Sequence, residues 1–255
     1  MSSNIKVIRF TAIMSAIFAV LTYFISLNIS YEWFDITWLS NSFLLAIFGG
    51  AFASMLVVLI CEIQKYLLLK REAENQIFYY AGHIWGKLKT IQCDLEKQIQ
   101  DENIEADDHF TKHIPEIHNL ISTLQNIEYT SFCKNNKMQY LFNSLCLWLT
   151  SEVFFIIDDG YCYRIAMNQD KINNLKTIGI EGKITANSPY TKKVLNIFYP
   201  KLLAILDEMD KYMYKIDELC GKRYIWDLRK TSILKSFDDM TEDVFEEYLK
   251  QGETL

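Results

Sequence analysis

Proline and glycine are scarce in this chain of 255 residues, with three of the first (Pro115, Pro189, Pro200) and nine of the second. That scarcity excludes Gly-rich phosphate loops and Pro-rich linkers and points to long helices. The six cysteines (Cys61, Cys93, Cys133, Cys146, Cys162, Cys220) include no Cys-x-x-Cys pair, so neither a zinc site nor a redox pair is indicated. Reduced, mostly buried thiols are expected, as suits a cytosolic domain. Excess positive charge is lacking too. A net charge of −6 and a pI near 5.3 argue against broad nucleic-acid binding, so an anionic ligand needs a local basic site.

Charge of either sign is missing from two stretches near the N-terminus. Phe10 to Tyr31 carries none, and Phe10 to Ile29 makes a helix of ~30 Å, the thickness of a hydrocarbon core. Ile36 to Cys61 follows, too soon and too apolar for the first run to be a signal peptide. Neither run holds Asp, Glu, Lys, Arg or His, which argues against proton-coupled transport through them. Tyr31 and Trp33 beside Glu32 and Asp35 suit an interfacial turn. Lys6 and Arg9 before the first run, and Lys65, Lys70 and Arg71 after the second, place both termini in the cytoplasm.

What the spans do contain falls into stripes. Thr11, Ser15, Thr22 and Ser26 share one face of the first helix, and Ser42, Ala46, Gly49 and Ala53 share one face of the second. Small residues let backbones approach in lipid. The stripes therefore either pack the hairpin against itself, or one packs neighbouring copies while the other lines a narrow pore in a homo-oligomer, with Asn41 and Ser42 near its mouth.

Beyond Cys61, apolar residues at helical spacing run from Ile63 to about Gln100, so the second span is expected to continue directly into a cytosolic helix. Asp101 to Asp108 reads as an acidic linker. Further helices are expected over His109 to Ile127 with a break near Pro115, over Lys137 to Ile157, from Ser188-Pro189 to Gly221 with a kink at Pro200, over Lys222 to Ser236, and from Thr241 through Tyr248. The 137–157 run is long enough to be a third span, but Gln139, Asn143, Ser144, Ser151 and Glu152 favour a central buried helix. Asp158-Asp159-Gly160 reads as a turn, and Thr177 to Asn187 as a short β-hairpin or ordered loop. The fold expected is an all-α membrane protein: a transmembrane hairpin over 1–61 and a cytosolic helical sensor domain over 62–255.

Enzymatic motifs are absent, and no cofactor is indicated. His109 and His113 are four apart but lack the Glu of a zinc-protease helix, so they read as surface residues. One basic cluster stands out in the acidic domain: Lys222, Arg223, Trp226, Arg229 and Lys230 share a helix face with Trp226 near its middle. Such a face either is plain solvated surface or binds phosphates and stacks a base, as short single-stranded nucleic acids and nucleotides require. The acidic stretch Asp238 to Glu247 follows it.

The second span from Asn41 to Ser54, followed by Tyr66 and Lys70-Arg71-Glu72, resembles the membrane module of two-span bacterial anti-phage effectors, over about 70 residues. The whole layout is similar to that of the channel subunit of the Hailong system, whose cytosolic part binds a short DNA oligomer that holds the channel shut. This resemblance implies a bacterial inner-membrane location, antiviral defence, and a partner enzyme from the same operon that makes the signal. The expected function is a gated pore or ion channel. The competing expectation is a non-conducting anchor that presents a helical protein-binding module.

Overall fold

The computed structural model describes residues 3–31, 41–101, 103–129, 136–178, 182–222 and 224–235. Among them the chain is helical and contains no strand. In order come α1 (Ser3–Tyr31), α2 (Asn41–Gln100), a 3-10 turn (His109–Lys112), α3 (His113–Gln125), α4 (Asn136–Ile178), α5 (Pro189–Cys220) and α6 (225–235). The chain divides into two compact units, Met1–Ala73 with Glu128–Lys134, and Glu74–Ile127 with Asn135–Leu255. The unbroken α2 contributes to both.

In the first unit, α1 and the start of α2 pair through Phe18 and Phe48, whose ring centroids lie 6.3 Å apart. Both helices are long and apolar enough to cross a membrane, and 11% and 0% of their most apolar windows are buried. Phe10, Ile13, Val20 and Phe24 on α1 and Val57, Val58 and Ile60 on α2 are exposed. An apolar surface this continuous needs lipid or other protein to cover it.

The second unit has a conventional core. α2 buries Ile77, Ala81, Ile84, Leu88, Ile91 and Leu95, and α5 buries Leu195, Phe198, Leu202, Met209, Met213 and Ile216, each at helical spacing. α4 packs mainly on α5 and also on α3. It buries Met138, Phe142, Leu145, Leu149, Val153, Ile156 and Tyr163, while Tyr140, Leu147, Tyr161 and Ile165 stay exposed. By length and composition α4 also qualifies as a span, but 33% of its window is buried, three times the share in α1.

Several sequence expectations are corrected. Asp158-Asp159-Gly160 is no turn, since α4 runs through it. Gly160 serves close approach instead: a Cβ there would lie 3.0 Å from Ile114 Cδ1 of α3. The β-hairpin does not form within the described residues. Thr177 is still in α4, and 182–185 is a loop whose Ile184 carbonyl accepts the Ala106 N–H at 2.7 Å. The expected break near Pro115 takes the form of a change from the 3-10 turn to α3 between Lys112 and His113; Pro115 itself falls in the first turn of α3, where its missing N–H costs nothing. None of the five described cysteines is buried or in a disulfide, and Cys61 and Cys162 are exposed. The expected helix from Thr241 lies outside the described residues, as does Cys133.

Candidate functional site

Ser188 ends as an extended residue with no side-chain cap bond, and α5 opens at Pro189. The cap comes from α4. One oxygen of Asp170 accepts the Thr191 N–H and the Thr191 hydroxyl, both at 2.8 Å, and the carboxylate also takes the Tyr190 N–H at 3.2 Å. α5 then ends at Gly221, whose left-handed φ of 68° turns the chain back. Tyr224 adopts φ 76° before α6 begins, and Asp217 Oδ2 accepts the Trp226 N–H at 3.3 Å.

This turn presses α6 onto α2. Lys222 Nζ pairs with Glu74 at 2.9 Å, and Trp226 meets Trp85 edge to face at 6.3 Å. Gly82 makes room for Arg229, since a Cβ on it would lie 2.9 Å from Arg229 Cγ and 3.2 Å from Ile233 Cδ1. Trp226 is 0% exposed. Its indole Nε1 donates to Asp210 Oδ1 at 2.9 Å, and Lys230 Nζ pairs with Asp210 Oδ2 at 3.0 Å and donates to the Tyr214 hydroxyl at 2.9 Å. Tyr214 in turn donates to Asp227. Burial works against the Lys230 charge, but the Tyr214 and Asp210 hydrogen bonds outweigh it and raise its pKa.

The basic face is therefore no open platform. Trp226 has no accessible ring on which a base could stack, because α6 turns it into the core. Lys222 and Lys230 are already neutralised by Glu74 and Asp210. Arg223 lies outside the described residues. Arg229 differs from both lysines: its guanidinium sits 4.9 Å over the Tyr79 ring, and its buried Nε has no hydrogen-bond partner among the described residues. Glu74, Asp210 and Asp217, which organise the region, are far along the chain from the lysine ammoniums and the Trp226 N–H groups they bind, and helical periodicity carries no trace of that pairing.

In the hairpin, Thr11 and Ser15 are buried, Thr22 is half-buried and Ser26 exposed. Thr11 and Thr22 donate to the carbonyls of Val7 and Phe18 at 2.9 and 2.7 Å, satisfying their hydroxyls within the helix. Ser15 Oγ is buried with no partner among the described residues. On α2, Gly49 faces α1: a Cβ there would lie 4.0 Å from Thr22 Cγ2. Ser42, Ala46 and Ala53 are exposed, and Asn41 is the first residue of α2. The two stripes thus meet at Thr22 and Gly49, while three of the small residues face outward.

Elsewhere, a depression of about 290 Å³ is lined by Ile99, Leu195, Tyr199 and Lys192, among others. Tyr199 donates to Glu96 at 2.5 Å, and this bond, ahead of that from Gln92, holds the Glu96 pKa below its ordinary value. His109 pairs with Asp107 and His113 with Glu116, on separate partners. Among the described residues no three His, Cys, Asp or Glu groups are placed to share a metal. Comparison with protein-family models, with curated proteins and with solved structures finds no match to this chain.

Proposed function

We propose that this protein is a homo-oligomeric membrane effector whose α1 and α2 segments assemble a gated pore in a bacterial inner membrane, controlled by the helical unit that begins at Glu74. The observation that carries this reading is the exposed apolar surface of α1 and α2 combined with outward-facing Ser42, Ala46 and Ala53. Small residues on an outer face permit close packing with neighbouring copies. Two helices cannot enclose a pore, so conduction requires an oligomer. Both termini are cytoplasmic in this reading, from the placement of Lys6, Arg9, Lys65, Lys70 and Arg71. Control by an anionic nucleotide or short single-stranded DNA, and a partner enzyme acting in anti-phage defence, follow from the sequence resemblance.

A second reading has its own observation. Gly49 approaches Thr22 inside the hairpin, which is what a self-packed, non-conducting anchor for a protein-binding module also needs. One measurement tests the topology and a second separates the readings. An alkaline phosphatase fusion after Leu255 should be inactive and a fluorescent-protein fusion bright if that end is cytoplasmic. Expression of the full chain should collapse the membrane potential if it conducts, whereas an anchor leaves the potential unchanged.

A further inference from the structure

Arg229 on α6 has no acidic partner among the described residues, and His83 beside it feels the charge of both Arg229 and Lys87. Gly82, which precedes His83 on α2, leaves room for the Arg229 side chain: a Cβ there would lie 2.9 Å from Arg229 Cγ and 3.2 Å from its Nε. The Tyr79 ring, 47% exposed, holds the guanidinium on one side at 4.9 Å and the His83 ring at 4.3 Å. One helical turn on, Lys87 Nζ lies 2.5 Å from Glu116 and 3.5 Å from His113 Nδ1 of α3. Glu116 is the one carboxylate in this group, and it is shared between Lys87 and His113. Among the described residues, Glu116 thus serves Lys87 and His113, and Arg229 has no acid of its own.

We propose that Arg229 and His83, beside the Tyr79 ring and next to the Lys87–Glu116 pair, form a binding site for a phosphate-type oxyanion. A guanidinium fork and an imidazolium N–H are strong donors to such oxygens, and an anion would supply the charge that Arg229 lacks. His83 is held below its ordinary pKa by burial, then by Arg229 and Lys87, so it is neutral at pH 7 in the empty site. Anion binding reverses that repulsion and draws a proton onto His83. Binding therefore weakens as pH rises above the pKa of the empty site, by up to about tenfold per pH unit. Opposed charges make the affinity fall with added salt. As a gate control, this site rests on the pore reading; as a binding site, it stands alone.

The test is an NMR titration of the full chain in detergent, with its four histidines isotopically labelled, against inorganic pyrophosphate. The His83 resonances should move and its pKa rise, while those of exposed His109 stay in place. Arg229→Gln should lower pyrophosphate affinity at least about tenfold. His83→Asn should leave weaker binding that has lost the weakening with rising pH, a readout that survives if Arg229→Gln misfolds. Lys211→Gln, on α5, should change neither. In nanodiscs, a His83 shift with phosphatidylglycerol but without pyrophosphate would identify a lipid headgroup as the oxyanion; a shift only with pyrophosphate would identify a soluble ligand. No shift with either, or binding that both site variants retain, would overturn the site. Conductance is measured separately, so loss of this site leaves the pore reading to its own test.

Discussion

The Asp170 carboxylate on α4 holds the backbone N–H and the hydroxyl of Thr191 on α5, each at 2.8 Å, with both residues buried. This contact fixes where α5 starts relative to α4. Asp170→Ala leaves the N–H groups of Tyr190 and Thr191 unpaired and should cost about 1–3 kcal/mol of stability. Ser188→Ala removes only the bond from the Thr185 N–H and should cost less. Denaturant unfolding followed by circular dichroism ranks the two; an equal or reversed order would mean that Ser188 is the working cap.

Trp226 and Lys230 share the two oxygens of Asp210. Asp210→Ala should destabilise by roughly 1–3 kcal/mol, because it strands a buried indole N–H and leaves Lys230 only the Tyr214 hydroxyl and the more distant Asp227. Trp226→Ala should cost about 3–5 kcal/mol through the cavity it leaves. Unfolding midpoints check both. A Trp226→Ala chain as stable as the wild type would show that the indole is not in the core.

Much of the architecture is legible in the sequence. The two apolar runs, the helix ending at Gln100 and the Ser188-Pro189 start of α5 follow from composition, periodicity and first-turn chemistry, which are local. The errors share one cause. Asp158-Asp159-Gly160 has turn chemistry, but tertiary packing overrides it: Gly160 admits Ile114 and Asp159 pairs with Lys201. The Trp226 face was found by its helical angle, yet an angle does not say which side faces the core. That depended on Glu74 and Asp210, which no local pattern connects to Lys222 and Lys230.

Glycine substitutions should separate two kinds of close approach. At Gly82 an added Cβ would meet Arg229 Cγ at 2.9 Å and both Nε and Ile233 Cδ1 at 3.2 Å, so Gly82→Ala should push α6 off α2 and cost about 1–3 kcal/mol. At Gly160 the tightest atom is the end of the Ile114 side chain at 3.0 Å. There the helix-propensity gain of about 1 kcal/mol should offset the strain, leaving Gly160→Ala near neutral. Proteolysis near residue 224, faster in Gly82→Ala alone, checks the first; similar rates in both variants would contradict it.

Acid should weaken the second unit through His113. Burial, then the Lys87 charge, depresses its pKa below the ordinary 6.5, outweighing Glu116. The unfolded chain then binds more protons than the folded one, so the penalty is absent above about pH 6.5 and grows as pH falls towards the folded pKa. Stability should decline from pH 7 to 5, and His113→Gln should flatten that slope. Unfolding midpoints at half-unit pH steps measure this; a slope unchanged by the variant would assign it to other groups.

Whether α1 and α2 conduct is decided most directly by single-channel recording of the purified full-length chain in planar bilayers. Discrete conductance steps are expected from the wild type, and Gly49→Leu, which drives a large side chain against Thr22, should abolish them while the protein still floats with liposomes. A silent bilayer with wild-type protein demonstrably inserted as an oligomer would contradict the pore and leave the membrane anchor.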